Sequence, residues 1–341
     1  MEPIIIWGAG AIGGTIGAHL ARAGRSVRFV DVDQSHVSAM NRTGLRITGP
    51  VAAFHVPAQA CAPQELEGRY RWILLAVKAH HTAAAIDALV PHLDPEGAVV
   101  SLQNGLCETL IAEQVGTERT IGAFINFGAD YQQPGEIEFG NRGAVVVGEL
   151  DGTRSSRILA LHDLLRLFES DAIIAEDILA FLWGKVGYGG LLKASALTNM
   201  TMAEYLDAPD LRALHVALVQ ELLAVACAEG VKPIGVNGFD PEAFSQGDAL
   251  AIDRSLAAMA DFNRASAKQR SGIWRDLAVR KRRTDCAAQL APVRAAARRH
   301  GLETPLTDRM LALIAQVEDG KSVQGPGLIE RLVDALTPSD D

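Results

Sequence analysis

Residues 4–14 read IIIWGAGAIGG. A run of bulky apolar residues without polar alternation fits a short strand covered on both faces. The run breaks into Gly8-Ala9-Gly10-Ala11-Ile12-Gly13 and then into a helix-length segment, 12–23. A GxGxxG pattern by itself is weak, but between a strand and a helix it has a mechanism. The first glycine permits the tight turn, the second lets a pyrophosphate reach the backbone, and the third lets helix and strand pack closely. The N–H groups of Ala11, Ile12 and Gly13 then meet the phosphates at the positive end of the helix. A glycine-rich turn without a ligand is the competing reading.

Outward from this unit, short apolar runs recur: SVRFVDVD, RWILLAVK and GAVVSLQN. Helix-length segments at 34–42, 81–90 and 106–115 separate them. Alternation of continuous apolar strands with helices predicts an α/β doubly wound parallel sheet. A strand is expected around 120–127. The alternating stretch GEIEFGNRGAVVVGEL, 135–149 and its flank, reads as an antiparallel hairpin turning at Asn141-Arg142-Gly143. From about residue 176 the texture becomes helical and rich in Ala, Leu, Arg and Glu, with helix stops at Gly230 and Gly301. The segment 231–248, carrying Pro233, Gly235, Gly238 and Pro241, reads as the longest loop. The expected organisation is a dinucleotide-binding domain over 1–175, an all-helical domain over 176–335 and a frayed tail over 336–341.

The chain has 341 residues, enough for about two domains, and is 48% hydrophobic. Its net charge of −9 disfavours a nucleic-acid surface. No run of about 18 uncharged apolar residues reads as a membrane span, and the first 24 residues lack the basic start of a signal peptide. Cys61, Cys107, Cys227 and Cys286 are scattered, without CxxC or CxH spacing. That argues against a metal site and a disulfide framework and predicts a cytoplasmic protein. The expected partner is a small molecule; the assembly state is left open, a homodimer among the options.

Several polar residues stand where chemistry could occur. Asp31 lies near the end of SVRFVDVD, where a carboxylate would bind the adenosine ribose hydroxyls and repel a 2′-phosphate, favouring NAD over NADP. The alternative is a helix cap. Lys78 ends ILLAVK and Asn104 follows VVSLQ, both at the carboxyl ends of strands where doubly wound sheets bind ligands. Taken singly, each could be a solvated strand end or a turn. His80 and His81 fit a surface helix start better than an acid–base pair. The stretch FLWGKVGYGGLLKASALTN, 181–199, sets Lys185, then Gly187, Gly189 and Gly190, then Lys193 in an apolar helix, although a buried lysine and helical glycines are both unfavourable.

GAGAIGG, VKAHHT, QNG, LWGK and a late RRTD followed by RRHG stand in the order found in ketopantoate reductases, and over nearly the whole chain the sequence resembles that family. The resemblance implies a Rossmann-type domain and a helical domain like the C-terminal domain of 6-phosphogluconate dehydrogenase, with the active site in the cleft between them. It implies NAD(P)H-dependent reduction of a 2-oxo acid. Lys185 matches the family's general acid, which would stabilise and protonate the carbonyl oxygen as hydride arrives. Asn104 and Lys78 match residues near nicotinamide and substrate. Asp285 lies where the family has a glutamate touching substrate and cofactor hydroxyls, and Ser271 lies within a residue of a serine that binds the substrate carboxylate.

The departures from the family concern the substrate. Asparagines follow the family's lysine at one and two helical steps; here those offsets hold Gly189 and Lys193. The loss of an amide makes room, and an added cation suits an anionic or strongly accepting group. Asp285 is one methylene short. The expectation is an NAD-dependent enzyme, with NADP as the other option, acting on a hydroxy or oxo acid that is bulkier or more anionic than ketopantoate. Two readings compete: a genuine 2-dehydropantoate 2-reductase and a non-catalytic NAD-binding regulator. The cluster Arg280-Lys281-Arg282-Arg283 reads as a solvated helix face, or else turns one arginine toward a substrate carboxylate. Trp183 and Trp274 read as core.

Overall fold

The computed structural model describes residues 2–266 and 268–336. It divides into two compact units, Met1–Ile178 and Leu179–Asp341. The expected tail at 337–341 lies outside the described residues, while Leu336 belongs to a closing 3-10 turn.

In the first unit the elements run β1 (Ile4–Trp7), α1 (Ala11–Arg22), β2 (Val27–Val30), α2 (Gln34–Thr43), β3 (Leu45–Thr48), β4 (Phe54–Val56), β5 (Ala60–Cys61), β6 (Tyr70–Leu75), α3 (Thr82–Leu89), β7 (Leu93–Ser101) and α4 (Cys107–Val115). There follow β8 (Thr120–Ile125), β9 (Gly128–Gln133), β10 (Glu136–Asn141), β11 (Val145–Glu149), α5 (Ser156–Leu165) and β12 (Ile173–Ile174). The main sheet has the order β12-β11-β8-β7-β6-β1-β2-β5, parallel except where β11 meets β8. Strand order reverses at β1, which puts the loop after β1 at the switch point where such sheets bind ligands.

The opening strand explains why both faces are covered. Ile4 and Ile6 enter one core with Phe29, Leu74 and Val100. Ile5 and Trp7 enter another with Val30, Ile73, Leu75 and Val99. Successive side chains point to opposite faces, so a continuous apolar strand feeds two cores. Each fully buried side chain of this size contributes about 1.5–3 kcal/mol.

The hairpin expected over 135–149 does not form. β10 pairs with β9 across a turn at Pro134-Gly135, and with β3, in a second sheet of order β4-β3-β10-β9. β11 leaves for the main sheet and pairs with β8, Val145 opposite Ile125. The break at Asn141-Arg142-Gly143 is therefore a crossing between sheets. Gly143 is needed there because a Cβ would stand 1.8 Å from Asn126 O.

The second unit carries α6 (Ile178–Ser195), whose first residue closes the first unit, then α7 (Met202–Asp207), α8 (Arg212–Ala228), α9 (Pro241–Gln246), α10 (Ala249–Ala265), α11 (Gly272–Ala278), α12 (Cys286–Arg299), α13 (Pro305–Glu318) and α14 (Pro326–Val333). Gly230 and Gly301, after α8 and α12, have φ of 75° and 66°, the left-handed stop expected of them. The long loop expected over 231–248 is shorter, because α9 lies inside it. Asp240 caps α9 by accepting from Glu242 N–H and Ala243 N–H, and Pro241 opens it. Pro209–Ala228 is long and apolar enough by composition to cross a membrane. Here it is a core helix, with Leu214, Leu218, Val219 and Leu222 buried.

Candidate active site

The glycine loop divides its labour as its spacing predicts. Gly8 has φ +96°, and a Cβ there would meet Val77 N at 2.8 Å. At Gly13 a Cβ would strike Gly8 O at 2.2 Å and Ile6 Cγ2 at 2.9 Å. At Gly10 a Cβ would find, among the described residues beyond its chain neighbours, nothing within 4 Å. The first and third glycines are demanded by the protein, and the second faces open space. Gly10 is the N-cap of α1, and the first turn of that helix carries no acidic residue. The N–H groups of Ala11, Ile12 and Gly13 precede the first helical bond, Gly14 N–H to Gly10 O at 2.8 Å. This cradle fits a dinucleotide pyrophosphate.

Asp31 stands at the end of β2 beside the loop. Its Oδ2 accepts from Ala9 N–H at 2.8 Å and its Oδ1 from Asp33 N–H at 2.9 Å. It does not cap α2. Asp33 does, accepting from Ser35 N–H and His36 N–H. Asp31 thus puts its charge next to the loop while holding it.

Lys78 and Asn104 lie at matching places. Leu75 pairs with Ser101 in the parallel β6–β7 ladder, and each candidate stands three residues beyond its member of that pair. A residue that sequence reasoning missed joins the two loops. The amide nitrogen of Gln103 donates to Val77 O and to Thr82 Oγ1, both at 2.8 Å. Thr82 in turn donates to Cys107 Sγ at 3.7 Å, and that thiol donates to Asn104 O at 3.6 Å. His80 and His81 are exposed in the turn before α3, as expected.

In the helical unit, the glycines of α6 have two uses. A Cβ on Gly184 would stand 1.8 Å from Ile234 O, on Gly187 2.9 Å from Phe239, and on Gly190 2.5 Å from Leu222. These three, spaced by three residues, form one face against which neighbours close. Gly189 is different: among the described residues, beyond its chain neighbours and its own helix backbone, the Cβ position meets only Lys193 Nζ within 4 Å, at 3.3 Å. Phe181, Lys185, Gly189 and Leu192 are half-buried, whereas the rest of α6 beyond Leu179 is buried. Residues three and four apart share a helix face, so Lys185 and Gly189 lie on the one accessible stripe.

Lys193 is buried, and burial holds its ammonium below the usual lysine range; Cys286 and the Asp285 carboxylate push the other way. Burial also raises the Cys286 thiol to about 11, opposed by Lys193 and Thr284. Lys193, Asp285 and Cys286 therefore form one group within this unit. Asp285 begins α12 without using its side chain as a cap. Ser271 is the N-cap of α11, its Oγ accepting from Trp274 N–H at 3.2 Å. That role alone stabilises by about 1 kcal/mol and leaves the hydroxyl proton as a donor.

The basic cluster is neither a helix face nor a free anion clamp. It follows α11 as a loop, in which Arg280 and Arg282 both bind Asp276 Oδ1, at 3.0 and 2.9 Å. Arg283 binds Asp319 at 2.7 Å. Trp183 is buried, as expected; Trp274 is half-buried beneath Arg270, whose guanidinium carbon lies 4.6 Å from the ring centroid.

Two family models match, "Ketopantoate reductase PanE/ApbA" over residues 4–152 and "Ketopantoate reductase PanE/ApbA C terminal" over 177–318. A 2-dehydropantoate 2-reductase of Mesorhizobium japonicum is 30% identical over 258 residues, 69% of this chain and 79% of that protein. The chain belongs to the ketopantoate reductase PanE/ApbA family. It is accordingly an NAD(P)-dependent oxidoreductase acting on a CH–OH group. Solved structures share the fold. A D-mandelate dehydrogenase bound to NADH and anilino(oxo)acetate has a TM-score of 0.81 at 20% identity, covering 95% of this chain and 100% of its own. The ketopantoate reductase of Ralstonia eutropha JMP134 has a TM-score of 0.78 at 24% identity, covering 94% and 99%.

Proposed function

We propose that this member is an NAD-preferring dehydrogenase or reductase of a small 2-oxo or 2-hydroxy acid other than ketopantoate. The observation that carries the reading is the accessible stripe of α6, with Lys185 and a side-chain-free Gly189 on a helix otherwise buried beyond its start. The nicotinamide cofactor, when bound, supplies or takes up the hydride. Gly8, Gly10 and Gly13, with the N–H groups of Ala11 and Ile12, would hold its pyrophosphate. The Asp31 carboxylate would meet the ribose and disfavour a 2′-phosphate. Lys78 and Asn104 would border the nicotinamide and substrate.

Lys185 acts on the substrate oxygen. In reduction, negative charge develops there as the carbon gains hydride, and the ammonium stabilises it and then donates a proton. In oxidation the neutral amine takes the hydroxyl proton. Ser271 and Asp285 would orient the acid and hydroxyl groups. Lys193, a donor with no acceptor, replaces an amide that could do both. It favours a substrate with an oxygen acceptor at this point, and Gly189 leaves room for a larger group.

The relatives named 2-dehydropantoate 2-reductase favour a second reading, that ketopantoate is the substrate. A panel of 2-oxo and 2-hydroxy acids assayed with NAD(H) and NADP(H) separates the two. Ketopantoate with NADPH as the pair of highest kcat/KM would overturn our reading. Lys185→Ala should lower kcat by roughly 10²–10⁴ with NADH binding unchanged; retention of most of kcat would remove Lys185 from the acid role.

A further inference from the structure

We propose that His36 positions the cofactor loop, acting through the Ala9 carbonyl. His36 lies on α2, is buried, and uses both ring nitrogens. Gly135 N–H approaches Nδ1 at 2.9 Å, and Nε2 lies 2.9 Å from Ala9 O. A backbone N–H can only donate, so Nδ1 is the acceptor and carries no proton. A carbonyl can only accept, so Nε2 carries the proton and donates. The two bonds select the neutral ring and one tautomer.

The consequence falls on Gly10. The Ala9 carbonyl and the Gly10 N–H share one rigid peptide plane and point in opposite directions. The carbonyl turned toward His36 sends the Gly10 N–H the other way. Gly10 is the glycine with open space about it and the cap of α1. Asp31 holds the other polar group of Ala9, so both backbone groups of that residue are fixed by side chains.

The far side of the imidazole is also anchored. Gly135 sits in the β9–β10 turn with φ +80°, its Cβ position 3.2 Å from Ala39 on α2. Its carbonyl accepts from Arg46 N–H at 2.9 Å. His36 thus ties the small second sheet to the loop. The proposal rests on the reading of residues 8–13 as the cofactor site.

The test is a fluorescence titration of NADH against wild type, His36→Phe, His36→Gln and Gly10→Ser, with steady-state kinetics beside it. Phenylalanine preserves the edge contact with Tyr131, now 5.1 Å between centroids, and removes both bonds. Glutamine keeps a donor and an acceptor. The proposal expects the NADH Kd to rise about tenfold in His36→Phe and to recover to within about threefold in His36→Gln. At saturating NADH, kcat and substrate KM should stay within about twofold. An unchanged Kd in His36→Phe overturns it, as does equal damage in the Gln variant or a parallel fall of every parameter. If His36→Phe does not fold, His36→Asn, which is too short to span both partners, replaces it. If Gly10→Ser also binds NADH normally, the cofactor-site reading itself fails; if only Gly10→Ser weakens binding, His36 alone is excluded.

Discussion

The ammonium nitrogen of Lys193 stands 3.3 Å from where a Cβ on Gly189 would be. A long helical side chain leans toward the N-terminus, so a lysine one turn on reaches back over the glycine. The two positions work as a pair. Putting asparagine at 189 alone crowds Nζ. Putting asparagine at both restores the pattern of ketopantoate reductases. The double variant Gly189→Asn/Lys193→Asn should gain at least about tenfold in kcat/KM for ketopantoate relative to the best wild-type substrate. The single changes should fall short of that sum, because residues in contact couple by about 0.5–3 kcal/mol. Kinetics of the four proteins on both substrates check this; additive effects would break the pairing.

Gly10 and Gly13 should part company when a side chain is added. Gly13→Ala drives a methyl against Gly8 O and Ile6, a backbone contact that cannot rotate away. It should lose at least about 1–3 kcal/mol of stability, seen as a lower Tm. Gly10→Ser meets, among the described residues beyond its chain neighbours, no atom within 4 Å at Cβ and supplies a favoured capping residue. Its Tm should hold, while its NADH affinity falls.

Why these glycines were readable while the second sheet was not is a matter of range. The β1–loop–α1 unit is local: an apolar strand, a spacing of glycines and a helical period lie within twenty residues. β3 and β4 are four and three residues long. Their sheet depends on pairings such as Ile47 with Ile137, which no local pattern announces. His36 looked like any polar residue in QSHVSAM, since its partner Gly135 is 99 residues away. On α6 the resemblance to ketopantoate reductases singled out Lys185 and Gly189 as candidates. It could not show that Lys193 folds back, nor that Gly184, Gly187 and Gly190 answer to Ile234, Phe239 and Leu222. The Asp240-Pro241 helix start was legible chemistry obscured by the glycines around it.

Asp31 should govern cofactor choice through two effects of one carboxylate. Asp31→Asn removes a negative charge from the loop. It also turns an amide nitrogen toward one of the two N–H donors, Ala9 or Asp33, that the carboxylate accepts. Hydrogen bonds to a charged group are worth about 1.5–3 kcal/mol. The variant should bind NADH about tenfold more weakly, with NADPH affected less, so that the NADH/NADPH ratio of kcat/KM falls. A ratio that does not move would leave Asp31 as a loop anchor only.

His215 offers a pH test inside the helical unit. Burial drives its pKa from 6.5 to about 4. Among the described residues neither ring nitrogen has a hydrogen-bond partner, and the ring meets Tyr205 edge-on at 4.6 Å. Above pH 6.5 the imidazole is neutral folded and unfolded, and titration adds nothing. As pH falls below 6.5 the unfolded chain takes up a proton that the folded chain refuses, and stability declines until the folded pKa is reached. The full loss is about 3 kcal/mol. His215→Phe keeps the ring contact and removes both unsatisfied nitrogens. Its Tm should exceed that of wild type, with the gap widening from pH 7 toward pH 4. Glu221, whose carboxyl burial pushes up, moves the other way with pH, but it is common to both proteins and cancels in the difference. Thermal melts of the pair at half-unit steps would show the widening; a constant gap would mean that His215 is protonated or solvated in the folded state.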